Sequence, residues 1–132
     1  MSVPIIDAQA FPLVRVTFGP TISLADIREF GRQVRLLVRR GPVGSVTHLH
    51  QLDLAEATAV KRQLFAREMD AIAATGKIVA EAVIVRSTVM AGLVTAYSWL
   101  RPGQVTPRCF TEEEAAETWI RGQLVARGVL PG

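Results

Sequence analysis

The feature that most constrains this chain is a regular alternation of short apolar runs with longer helical patterns. Gly19-Pro20, Gly41-Pro42, Gly76 and Pro102-Gly103 cut it into blocks of similar length, Gly and Pro being the strongest local breakers of regular structure. Leu13 to Phe18 sets Val14, Val16 and Phe18 against Arg15 and Thr17, the period of a strand with one buried face. Ser23 is placed to cap a helix, with Asp26 in the first turn where the helix dipole favours negative charge; Gly41-Pro42 stop that helix. Val46 to Leu54 reads as a second, unusually polar strand. A helix follows from about Ala57 to Thr75, ended by Gly76.

Ile78 to Val85 is apolar on both faces except at Glu81, the mark of an interior strand covered on both sides. Residues 88–100 make a third helix, stopped by Arg101-Pro102-Gly103. Val105 to Phe110 is a short last strand, which Pro107 assigns to a sheet edge or a bulge because proline cannot donate to a ladder. Thr111-Glu112-Glu113-Glu114 reads as a capping box for a final helix ending near Gly128. The alternation predicts an α/β fold, a mostly parallel βαβαβαβα sheet with right-handed crossovers and an added strand at Val3 to Ile6. None of the breaks is long enough for a linker, so residues 1–132 read as a single domain.

Composition narrows the class without supplying chemistry. Apolar residues at 49% against 20% charged allow a packed core and argue against disorder. Aromatic residues are only 6%, so the core must be mainly aliphatic. A single cysteine excludes an internal disulfide and fits a reducing compartment. No uncharged run reaches the roughly 18 residues of a membrane span. The opening MSVPIIDAQA lacks the basic flank and apolar stretch of a signal peptide. A cytoplasmic protein is the expectation.

Catalytic signatures are sparse. Gly19-Pro20-Thr21-Ile22-Ser23, between the first strand and the first helix, is neither a P-loop nor a dinucleotide fingerprint, and no nucleophile elbow or zinc-type cysteine pair occurs. His48 and His50, two apart on a strand, share a face and could chelate a metal or share a proton, with Asp53 or Cys109 as a third donor. Spacing fixes no third ligand, so the favoured reading is imidazoles on a half-exposed strand near the sheet edge. Cys109 is read as a small buried hydrophobe, because Arg108 points to the opposite face. Neither a metal nor a cofactor is expected, and the chain reads as a non-enzyme.

Helical faces say more. Arg28, Arg32, Arg35 and Arg39 form a narrow basic stripe opposite Ile27, Phe30, Val34, Leu37 and Val38. Five Arg against Asp26 and Glu29 make this helix the source of the whole net charge of +3. The stripe reads as a solvated face and a secondary surface for an acidic partner or an anionic membrane. Nucleic acid is not expected, since no aromatics or Asn/Gln base readers interleave the arginines. In the second helix Val60, Leu64 and Ala71 form one apolar strip and Phe65, Met69 and Ile72 another, one for the sheet and one for a neighbouring helix. Ser87 to Leu100 holds 14 residues without a formal charge. Its apolar arc of about 220° exceeds the ~100° needed to cover a core. Met90, Val94, Tyr97 and Trp99 are the expected contact residues of a self-associating surface.

With this order of blocks the chain resembles the STAS/SpoIIAA-like domains, in particular their small stand-alone bacterial members. The likeness runs from about Leu13 to Leu124. It rests on the alternation, on Asp53-Leu54 before a helix, and on Tyr97-Ser98-Trp99-Leu100-Arg101-Pro102. Arg108-Cys109-Phe110-Thr111-Glu112-Glu113-Glu114-Ala115-Ala116 with Trp119 completes it. The resemblance implies a SpoIIAA-like fold and a non-enzymatic regulatory module, and the uncharged third helix adds the expectation of a homodimer. Better-known members are switched by phosphorylation of a serine near the start of the second helix. Ala55 stands at that serine's place, which leaves Thr58 as the candidate phosphorylation site, at a helix N-terminus but close to Glu56. The fold also resembles, more distantly, domains that hold lipid, which gives the alternative: a carrier or sensor of an apolar small molecule in a pocket bordered by the third helix.

Overall fold

The computed structural model describes residues 3–99 and 105–132. Leu100 and the expected stop at Arg101-Pro102-Gly103 lie outside the described residues. The elements run β1 (Ile5–Asp7), β2 (Leu13–Thr17), α1 (Leu24–Val38), β3 (Val43–His48), a 3-10 turn (Leu54–Glu56), α2 (Ala59–Ala73), β4 (Ile78–Ile84), α3 (Thr88–Ser98), β5 (Arg108–Phe110) and α4 (Glu113–Ala126). One sheet has the order β1-β2-β3-β4-β5. β2 through β5 are parallel, and β1 is antiparallel to β2. This is the expected single-domain α/β architecture.

Local chemistry sets most boundaries. Ser23 Oγ accepts the Asp26 N–H at 3.0 Å while the Asp26 carboxylate accepts the Ser23 N–H at 2.8 Å, a reciprocal cap for α1. Thr58 caps α2 and Ser87 caps α3 by accepting the N–H three residues on. Gly76 and Gly128 take φ of +73° and +74°, the left-handed conformation that ends α2 and α4.

Three expectations are corrected. The polar strand read from Val46 to Leu54 is Val43–His48, and the chain then leaves the sheet for a 3-10 turn that Asp53 caps by accepting the Ala55 N–H. Pro107 precedes β5 rather than lying inside it, although β5 is an edge strand as expected. The box at Thr111 does not form. α4 starts one residue later, with Glu112 as a cap that makes no side-chain hydrogen bond and Glu113 and Glu114 in the first turn.

The two sheet faces are covered unequally. α4 lies across one face, with Ala116, Ile120 and Leu124 over Leu13, Val46, Ala82 and Ile84. It comes so close to β3 that a Cβ at Gly44 would meet Ile120 Cγ2 at 2.7 Å. On the other face α1 and α2 bring Ile27, Phe30, Val34, Met69 and Ile72 against Val14, Val16 and Phe18. α3 sits beyond them, holding Met90 and Val94 against Val83 and Val85.

Candidate functional site

Beneath α1, α2 and α3, on the face opposite α4, the helices leave a cavity of about 190 Å³ above β2, β3 and β4. Its walls are aromatic and aliphatic. Phe30 stacks on Phe65 with ring centroids 5.8 Å apart and 9° between planes; Phe18 and Tyr97 tilt against Phe65 at 5.8 and 5.6 Å. The chain has eight aromatic side chains, and these four line this one space. Met90, Leu93, Val94 and Tyr97 of α3 complete the wall. They follow the i, i+3, i+4, i+7 spacing that puts four side chains on one helical stripe.

The contact residues expected on α3 are therefore largely redirected. Met90 is 1% and Val94 7% exposed, so they cannot form an outward docking face, and Tyr97 lines the cavity beside them. The wheel showed apolar residues almost all round but not which arc faces the sheet. The outward apolar residues are Val89 at 63% and Trp99 at 76% exposure. On α2, Met69 and Ile72 are buried as expected and Leu64 joins the same core, but Val60 is exposed rather than resting on a neighbouring helix.

The floor of the cavity is polar. Along β3, Val43, Ser45 and Thr47 share a face, and Ser45 is paired in register with Glu81 of β4. Ser45, Thr47 and Glu81 are half-buried and line the cavity. The two hydroxyls make no hydrogen bond to any described residue. Thr47 and Ser45 carried a signal that went unread, polar side chains on the inward face of what is the central strand; Glu81 was seen as an anomaly of an otherwise apolar run. Only the strand register brings the three together.

Charge gathers where α2 begins. The Glu56 carboxylate accepts the Ile22 N–H at 2.9 Å and the Lys61 ammonium at 3.2 Å. The Ile22 N–H first, and Lys61 second, hold its carboxyl below the ordinary range. This clasp ties the loop after β2 to the 3-10 turn, reinforced by the Asp53 N–H donating to the Pro20 carbonyl at 3.0 Å. Arg62 also lines the cavity and donates to the Ala57 carbonyl. Thr58, the candidate phosphorylation site, is the N-cap of α2, its hydroxyl accepting the Lys61 N–H at 3.4 Å.

The other sequence candidates lie elsewhere. The histidines are corrected in place: β3 is the central strand, so they stand at its C-terminal end rather than near a sheet edge, and His50 lies beyond the strand. His48 Nε2 is 3.5 Å from Glu113 Oε1, and Arg86 donates to the His50 carbonyl at 2.9 Å. No group of three metal-ligating side chains forms among the described residues. Cys109 sits on β5, where burial pushes its thiol up, away from a reactive thiolate. In the basic stripe, Arg32 forks onto Glu29 at 2.7 and 2.6 Å, drawing that carboxyl down to about 2 with help from Gln33. Arg35 pairs with Glu68 of α2. Half of the stripe is thus paired, and Arg28 and Arg39 remain exposed.

No helix among the described residues is long and apolar enough to cross a membrane. No protein-family model matches the sequence, and no curated protein matches it. Among solved structures, the chain is similar to an uncharacterized protein of the DUF3478 family with a SpoIIAA-like fold from Shewanella loihica PV-4. The TM-score is 0.59 at 13% identity, over 89% of this chain and 91% of that one. The fold is SpoIIAA-like.

Proposed function

We propose that this chain is a non-catalytic binding protein that holds a small, mainly apolar molecule in the cavity bordered by α3, as carrier or sensor. The cavity is the observation that carries the proposal. Its composition is that of a ligand site: aromatic and aliphatic walls with a few convergent polar groups. An engineered cavity of about 150 Å³ accommodates benzene, so this space suits a body of roughly six to eight carbons. The hydroxyls of Ser45 and Thr47 give such a molecule a hydrogen-bonding point on the floor, opposite the aromatic wall.

Indole, an uncharged aromatic of eight carbons followed by isothermal titration calorimetry, tests this directly. Saturable binding at one site per chain is expected, with near-UV circular dichroism unchanged. Leu93→Phe, which projects a ring into the cavity, should weaken it at least about tenfold. Binding that does not saturate, or that Leu93→Phe leaves intact, overturns the proposal.

A second reading, a regulatory module acting through self-association or a protein partner, is supported by Val89 and Trp99 on the outer side of α3. Light scattering across a concentration series decides it. A dimer that Val89→Glu with Trp99→Glu converts to a folded monomer supports association, and a monomer at every concentration removes it.

A further inference from the structure

We propose that the occupant is a monoanion, a carboxylate on an apolar tail of about six to eight carbons, with Arg62 as its counter-ion. This rests on the cavity being a ligand site and adds the class of ligand. Three charged side chains line the cavity where α2 begins: Glu56, Lys61 and Arg62. The first two cancel. Glu56 takes the Lys61 ammonium, and its remaining demand is met by the Ile22 N–H. Arg62 is left over. Among the described residues it has no carboxylate partner, and its one hydrogen bond, to the Ala57 carbonyl, uses one of five N–H donors.

A half-buried guanidinium beside apolar walls is poorly hydrated, and its planar fork matches a carboxylate in two parallel hydrogen bonds. Glu81 also lines the cavity, but on β4 in register with Ser45, in the middle of the sheet rather than where α2 starts. The chain runs from the C-terminal end of β3 through the 3-10 turn into α2, so Arg62 lies at that end of the sheet. Val43, Met69 and Ile78 line the opposite end, at the start of β3 and β4. The headgroup therefore sits at Arg62 and the tail runs toward Met69 and Ile78.

Octanoate, 1-octanol and octylammonium share a tail and differ in charge, and each can be titrated against bound indole. Octanoate should compete at least about tenfold more strongly than octanol, the worth of roughly one charge pair, and octylammonium more weakly than either. Arg62→Gln should bring octanoate down to the level of octanol and leave octanol unchanged. Arg62→Lys should keep part of the preference, and it serves if the Gln variant does not fold. Octanol competing as well as octanoate, or Arg62→Gln weakening both alike, overturns the anion while leaving the cavity reading intact. Displacement by none of the three, together with no saturable indole binding, removes the cavity reading and this inference with it.

Discussion

Ser45 and Thr47 illustrate how two hydroxyls on a central strand can be costly to the fold and useful to a site. Val at both positions would replace two hydroxyls of the cavity floor with apolar surface, so the double variant should unfold at the same or a higher temperature. It should also bind polar-headed probes less well, the usual trade between stability and function. Elsewhere single residues tie the molecule together. Arg15 of β2 grips Glu117 of α4 through two hydrogen bonds of 2.8 Å. The Arg15 guanidinium holds the Glu117 carboxyl below its ordinary value. A depressed folded-state value stabilises the fold above the unfolded value, near 4.5, and that contribution fades as pH falls through the folded one. Glu117→Gln should therefore lower stability at pH 7 by on the order of 2 kcal/mol. The gap to the native protein should close in strong acid. Urea unfolding of both proteins at neutral and acid pH measures it, and a gap that is the same at both would deny the ion pair its role.

Elements differ in how tightly the chain specifies them. α4 is pressed onto β3 at Gly44, and Gly44→Ala should cost about 1–3 kcal/mol by overpacking against Ile120 and Leu124. Chemical denaturation that shows no loss would mean α4 can lift away. α1 and β2 were legible as sequence, because Ser23 with Asp26 and the Val14-Val16-Phe18 alternation state their limits locally. α4 was legible in its extent but not in its cap, since Glu112 and Thr111 compete for the same position. α3 was the least legible. An uncharged helix has no polar arc to mark its outside, so Met90 and Val94 looked as available as Val89 and Trp99. Their inward stripe was set by packing over Val83 and Val85, at the end of the preceding strand, and beside Leu49 and Leu54, contacts that helical periodicity does not state. The cavity was equally hidden. Periodicity tells which side chains face inward, not how closely the facing elements approach. Glu81 and the polar run around Ser45 were visible anomalies whose meaning depends on a register between β3 and β4.

At the scale of the molecule, the unequal covering of the two sheet faces is the central fact. One face is sealed by α4 down to the glycine at position 44. The other leaves about 190 Å³ under three helices. The side chains that line that space forgo packing contacts of the kind the sealed face makes. Two consequences separate a site from a packing fault. An occupant that fits must raise stability by RT ln(1 + [L]/Kd), about 2.7 kcal/mol at a hundred times Kd. Filling the same space covalently must raise stability without any ligand. Leu93→Phe is the substitution of choice, because Leu93 lines the cavity on a helix whose inner stripe already holds Met90, Val94 and Tyr97. The variant should gain up to about 1 kcal/mol, within the range of cavity-filling changes. It should also lose the thermal upshift that octanoate gives the native protein. Differential scanning calorimetry with and without octanoate reads both quantities at once. A variant less stable than the native protein, yet still shifted by octanoate, would place the ligand outside the space between α3 and the sheet.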